Sequence, residues 1–219
     1  MGMVELAIYA FVAAFIFFRL YGSLGKASSV NFQPSAIYPE QAGGEQAASD
    51  GSINSQDIPV SSVVADCASV EQISSVFEAI KERNKGFSVK HFIEGSAAAF
   101  EAIVKALSQG NAEFLSSLLS KDMHDSFVRE IERRKSAGHT HEDVVVSIVS
   151  QKVISAELKG NSAAITVQFV TEQINVVRDA GGQVVDGSTS KVNTIEDTWK
   201  FARDITTSGR RWYLTSTSA

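Results

Sequence analysis

The sequence predicts an α+β protein: an N-terminal transmembrane helix, followed by helices packed on one face of a curved antiparallel sheet. Three observations carry this expectation. An apolar run opens the chain, capped segments of helical periodicity fill residues 69–138, and β-branched alternating segments fill residues 144–218. The organisation that follows is a transmembrane anchor over residues 1–25, a disordered acidic linker over 26–67 and a folded domain over 68–219.

The run from Leu6 to Phe18 has no polar break. Extended from Met3 to Tyr21, it is about 28 Å long as a helix, close to the roughly 30 Å hydrocarbon core of a bilayer. Leu6, Phe11, Phe15 and Phe18 supply its apolar bulk, Glu5 marks one rim, and Arg19 snorkels at the other. A secretory signal needs a basic leading region, whereas the residues before this core are MGMVE, and Ser-Leu-Gly before Lys26 is a weak cleavage site. A cleaved signal and an interfacial helix are the alternatives to an anchor. Arg19 and Lys26 place the C-terminal flank in the cytoplasm and the N-terminus outside.

Residues 27–67 hold Glu40, Glu45, Asp50, Asp57 and Asp66 and no Lys or Arg, whereas the chain from Ala68 onward carries 18 basic and 19 acidic side chains. An acidic tether before a near-neutral domain argues against a nucleic-acid partner. Weak hydrophobicity leaves the tether little to offset the entropy of ordering it. Cys67 is the only cysteine, which excludes an intramolecular disulfide and a cysteine-based zinc site. His139 and His141 lack a third ligand at a recognised spacing, and no P-loop, GxGxxG, GxSxG or HExxH pattern occurs, so neither metal nor cofactor is expected.

In the folded part, Ser69 caps a first helix with Gln72 reaching back, and Val70, Ile73, Phe77 and Ile80 recur at helical spacing to about Glu82. Ser88 caps a longer helix with Phe92, Ser96, Ala99, Ile103 and Leu107 on one face, stopped by Gly110. Asn111 opens a short helix through Leu119, and Ser120 caps another through Phe127 and Ile131 to Gly138. VVVSIV at 144–149, KVISAEL at 152–158 and the run at 163–177 read as strands, joined by tight turns at KGN 159–161 and DAGGQ 179–183. Strands at 192–205 and from Trp212 onward close the domain.

Two constellations each admit two readings. Alternation in DTWKFARD puts Trp199, Phe201 and Arg203 on one face. They form either a core strand or the wall of a groove for an apolar peptide or acyl chain, with Arg203 offered to a carboxylate or phosphate and Trp212 completing the wall. Arg129, Arg133 and Lys135 form either a solvated helix face, with Glu130 and Arg134 paired at i,i+4, or a basic stripe resting on anionic lipid. Asp197 or Asp204 is the candidate base if an apolar pocket proves catalytic.

GFSVKHFIEGSAAAFEAIVKALSQGN, LLSKDMHDSFVREIERR, ISAELKGNSAAITVQFVTEQINVVRD, DTWKFARD and RRWYLTS together resemble the bacterial membrane-anchored, Tim44-like relatives of subunit 44 of the mitochondrial inner-membrane import translocase. The resemblance implies a curved antiparallel sheet enclosing a large apolar groove, related in shape to nuclear-transport-factor-2-like cones. It implies non-catalytic work as an adaptor that holds inner-membrane proteins or chaperones, with some contact to membrane lipid. It also implies the bacterial inner membrane as location, with the C-terminal domain cytoplasmic. Tethering of a DnaK-type chaperone is a weaker implication, because the long N-terminal region of the mitochondrial protein is replaced here by one apolar helix and an acidic stretch.

Overall fold

The computed structural model describes residues 57–207 and 211–218. The anchor residues Leu6, Phe11, Phe15, Phe18 and Arg19 and most of the linker lie outside them. Among the described residues, no helix is long and apolar enough to cross a membrane.

After a 3₁₀ turn at Val60–Ser62 come the helices α1 (Val70–Arg83), α2 (Val89–Ser108), α3 (Ala112–Ser116) and α4 (Lys121–Ser136). Each starts where a cap residue stands. The side chains of Ser69, Ser88, Asn111 and Ser120 accept the backbone N–H of Gln72, His91, Phe114 and Met123, satisfying donors that have no partner inside the helix. The reciprocal contact differs from expectation, since the Ser69 hydroxyl donates to Glu71. α3 ends at Ser116 rather than Leu119 for a tertiary reason. The Leu118 carbonyl accepts from the Leu214 N–H, and the Leu214 carbonyl accepts from Ser120, so the C-terminal strand draws this stretch out of the helix.

The strands are β1 (Thr140–Lys159), β2 (Ser162–Arg178), β3 (Val184–Gly187), β4 (Asn193–Asp204) and β5 (Tyr213–Ser218). They make one antiparallel sheet in the order β1-β2-β4-β5, with β3 paired to the end of β2. The segments 144–149 and 152–158, separate in the sequence reading, are one strand. Register shifts between Val145 and Ser147, Ile148 and Ser150, and Val153 and Ser155 insert extra residues, which bend the strand and break its alternation. The β1–β2 hairpin turns on Gly160, with φ of 56°, followed by Asn161 at negative φ, the sign pattern of a type II′ turn. β3 is exposed along its length, so it carries no burial pattern by which sequence could reveal it.

One face of the sheet is buried beneath the helices. β2 contributes Ala163, Ile165, Val167 and Phe169, and β4 contributes Trp199 and Phe201, with Val167 opposite Trp199 and Ile165 opposite Phe201. α2 lies against this face. Phe100 is fully buried, with its ring centroid 4.6 Å from that of Phe169 and 4.5 Å from that of Trp199.

The folded domain begins earlier than charge composition implies. Val63, Val64 and Ala65, assigned to the linker by composition, are buried; Val64 bridges Val153 in parallel, and backbone hydrogen bonds tie Val63 and Ala65 to the same residue. The segment Ile58–Val64 is apolar enough to enter the core, and its acidic neighbour Asp57 has a structural role. Its carboxylate accepts from the Ser88 hydroxyl and from the backbone N–H of Val89 and Lys90, and it pairs with Lys81 at 3.2 Å. Partial burial pushes the Asp57 pKa up, but the N–H groups of Lys90 and Val89, the Lys81 ammonium and the Ser88 hydroxyl outweigh it and hold the carboxyl below its usual 3.8.

Asp57→Ala is expected to lower the free energy of unfolding in urea by about 1–2 kcal/mol at neutral pH. The folded-state pKa lies below the unfolded value of about 3.9, so the advantage of wild type is complete above about pH 5 and is lost as pH falls through the lowered value. A difference that persists undiminished in strong acid would refute this assignment. For Trp199, truncation to Ala is expected to cost about 3–5 kcal/mol. The Trp199 Nε1–H is buried with no acceptor among the described residues, so Trp199→Phe is expected to cost far less, and equal losses in the two variants would contradict the packing described.

Candidate functional site: an apolar groove and a polar cleft

α2 does not cover the sheet evenly. Phe92, Gly95, Ser96 and Ala99 share one face of the helix, and after Phe92 that face falls away to hydrogen, hydroxymethyl and methyl groups. The space they leave faces Phe201 and Arg203 of β4, Trp212 at the entry to β5, Leu118 and the Phe87 loop, and encloses about 390 Å³. The Trp212 ring lies 5.0 Å from Phe92 and 6.1 Å from Phe87. The Arg203 guanidinium, buried to 7% exposure, stands 5.8 Å from the centre of the Trp212 ring, within reach of a cation–π interaction.

Arg203, Arg211 and His91 place basic groups on the groove wall, and its described lining residues include no Asp or Glu. Aromatic surface with cationic groups beside it suits an apolar chain that ends in an anion. Among the described lining residues there is no carboxylate to serve as a general base. Asp197 is buried on the inner face of β4 but does not line the groove. Asp204 is exposed at the strand end, where its Oδ1 accepts from the hydroxyl and N–H of Thr206, and these bonds lower its pKa.

Three of the four residues read from sequence as the groove wall therefore meet: Phe201, Arg203 and Trp212. Trp199 does not join them. It shares their face of the strand but sits under Phe100, where the helix touches the sheet, and it belongs to the core. Phe87, Phe92, Gly95 and Arg211 complete the groove and were not legible as site residues. The available signal was EGSAAAF, a run of small residues between two phenylalanines of α2.

The basic helix resolves differently. Arg133 Nε and Nη2 donate to the two carboxylate oxygens of Glu130, each at 2.7 Å, and Arg134 Nε donates to Oε1 at 2.7 Å. Burial raises the Glu130 pKa, but the two guanidinium groups outweigh it and hold the carboxyl below its ordinary range. Arg134 is buried, Arg129 reaches Ser126, and Lys135 is exposed. Arg133 thus commits Nε and Nη2 to Glu130 while its side chain stays exposed, and α4 carries an ion-paired face beside the exposed Lys135.

Beyond the far end of α2 lies a second cleft of about 700 Å³, lined by Arg133 and Arg134 of α4, His139 and His141 before and in β1, Asn175 and Val177 of β2, and the β3 segment through Asn193. The Ser108 hydroxyl fastens this end, donating to the His141 carbonyl and accepting from the Asp143 N–H. Among the described residues no three His, Cys, Asp or Glu side chains gather as metal ligands.

Residues 73–219 match the family model for the Tim44-like domain. A curated relative is the mitochondrial import inner membrane translocase subunit TIM44-1 of Arabidopsis thaliana, 24% identical over 134 residues, which cover 61% of this chain and 28% of that protein. The chain therefore aligns with little more than a quarter of that relative's length. Among solved structures, the intermembrane space region of the chloroplast protein ARC6 aligns with a TM-score of 0.41 at 14% identity, covering 57% of this chain and 94% of that one. A protein of the NTF2-like family from Streptomyces avermitilis aligns with a TM-score of 0.33 at 14% identity, covering 59% and 96% of the two chains. The family match runs through α1, α2 and every strand, and the chain belongs to the Tim44-like domain family.

Proposed function

We propose that the protein is a membrane-tethered, non-catalytic adaptor whose groove receives an apolar segment or acyl chain carrying an anionic group. The observation that carries this reading is the pairing of four aromatic rings, Phe87, Phe92, Phe201 and Trp212, with Arg203 and Arg211 on a wall whose described residues include no carboxylate. Burial of the occupant's apolar part against those rings supplies affinity, and the guanidinium groups set its orientation. The apolar run around Leu6–Phe18 serves as anchor, and the acidic stretch before Asp57 serves as tether. On this reading the protein works in a bacterial inner membrane, with its N-terminus outside and its domain in the cytoplasm, in protein translocation or membrane-protein quality control. Its partners are inner-membrane proteins or chaperones, or the lipid itself.

A Cβ added at Gly95 meets nothing within 4 Å, so Gly95→Leu projects into the groove without displacing the core. This variant is expected to keep the wild-type melting temperature and to bind a fluorescent fatty acid at least about tenfold more weakly, the cost of losing several buried methylene contacts. Arg211→Gln, at an exposed position, is expected to weaken the fatty acid while sparing the corresponding alcohol. In intact membranes, photo-crosslinks from position 211 to partner proteins or lipid are expected to fade in Gly95→Leu. Affinity and crosslinks both unchanged by Gly95→Leu would overturn the groove reading.

A further inference from the structure

We infer, on the groove reading above, that residues 32–40 of this chain are the groove's own built-in occupant, with Ile37 and Tyr38 docked among its rings and Glu40 against Arg211. The chain enters the described fold at the groove rim. Asp57 is the first described residue, and its carboxylate accepts from the hydroxyl of Ser88, which lines the groove, and from the N–H groups of Val89 and Lys90. Whatever precedes Asp57 therefore starts beside the groove. A chain of the 16 residues 41–56, with their glycines and serines, spans about 53 Å at most and about 22 Å as a root-mean-square. Glu40 is thus kept at an effective concentration of about millimolar around the groove, enough to fill it through contacts that are weak between separate molecules.

The preceding residues have the composition of a ligand for this groove. Between 27 and 56 the large apolar side chains are Val30, Phe32, Ile37, Tyr38 and Ile53, so all but one fall within 30–38. Pro34 and Pro39 bias Gln33 and Tyr38 before them to extended backbone, which lowers the entropy lost on docking. An extended segment suits the space, since about 390 Å³ takes a few side chains but not a helix about 10–12 Å across.

The charges are complementary. Residues 27–56 hold Glu40, Glu45 and Asp50 and no Lys or Arg, whereas the described groove wall holds Arg203 and Arg211 and no Asp or Glu. Arg211 is the exposed one of the two, and Glu40 follows the apolar pair by two residues. Docking has two consequences. It fills the groove until a stronger apolar chain with an anionic end displaces it. On the anchor reading it also removes residues 37–56 from the tether, which draws the domain toward the bilayer.

The test uses the full chain in lipid nanodiscs, with Tyr38 replaced by photoreactive p-benzoylphenylalanine and the crosslinked peptides mapped by mass spectrometry. Irradiation is expected to join position 38 to peptides holding residues 86–92 or Trp212 of the same molecule, and Gly95→Leu is expected to remove these crosslinks. Glu40→Arg and Arg211→Glu are each expected to weaken them about fivefold and to restore them when combined, a rescue that a general loss of structure does not give. Ile37→Ser together with Tyr38→Ser is expected to bind the fluorescent fatty acid about tenfold more tightly than wild type, because it removes a competitor held at millimolar effective concentration. Crosslinks only to a second copy, only to lipid or only outside the groove overturn the inference, as does equal fatty-acid affinity in wild type and the Ile37/Tyr38 variant. Gly95→Leu separates this failure from that of the groove itself. If it still weakens the fatty acid, the groove stands without an occupant from its own chain; if it changes nothing, the groove reading fails as well.

Discussion

The contact on which the rest of the molecule depends is the seat of α2 on the sheet, where Phe100 packs between Phe169 and Trp199. β2 and β4 each bury one face, and that face needs a cover. α2 is the longest helix described, and it supplies that cover with bulky side chains at its middle and C-terminal half. Large aromatic rings at the crossing point set how closely helix and sheet approach.

Both cavities follow from how α2 departs from that seat. Toward its N-terminus the face turned to β4 and β5 carries Gly95, Ser96 and Ala99, too small to fill the separation that Phe100 imposes, and the groove is the remainder. Toward its C-terminus the helix ends at Ser108, which is bonded to His141 and Asp143 at the start of β1, and the second cleft opens beyond that junction. Asp57 stabilises the other end by capping α2 and holding Lys81 of α1. The helix that organises the core therefore also spaces the two cavities apart, the apolar one near its start and the polar one past its end.

Much of the fold was legible because local chemistry determines it. Ser69, Ser88, Asn111 and Ser120 cap helices wherever they stand before an apolar-periodic segment, and Gly160 turns a hairpin because its backbone tolerates positive φ. Features set by distant partners were illegible. The last turn expected of α3 is lost to Leu214, about a hundred residues away in the chain. β1 hides behind its own bulges, and β3 is a strand by pairing with β2 alone. Residues 57–65 carry linker-like charge beside core-like valines, and only packing against Val153 decides which property counts.

The candidate site divides along the same line. Sequence alone determined that Trp199, Phe201 and Arg203 share one face of a strand, because a pleated backbone alternates its side chains whatever surrounds it. It also determined the i,i+4 pairing of Glu130 with Arg134, which one turn of helix enforces. Tertiary structure alone decided that Phe201 and Arg203 border a groove while Trp199 is sealed beneath Phe100, and that Arg134 is buried at the edge of a cleft while Lys135 faces solvent. Periodicity assigns a residue to a face. Whether that face meets bulk, space or water depends on the side chains another element brings to it, and these come from positions that no local pattern connects.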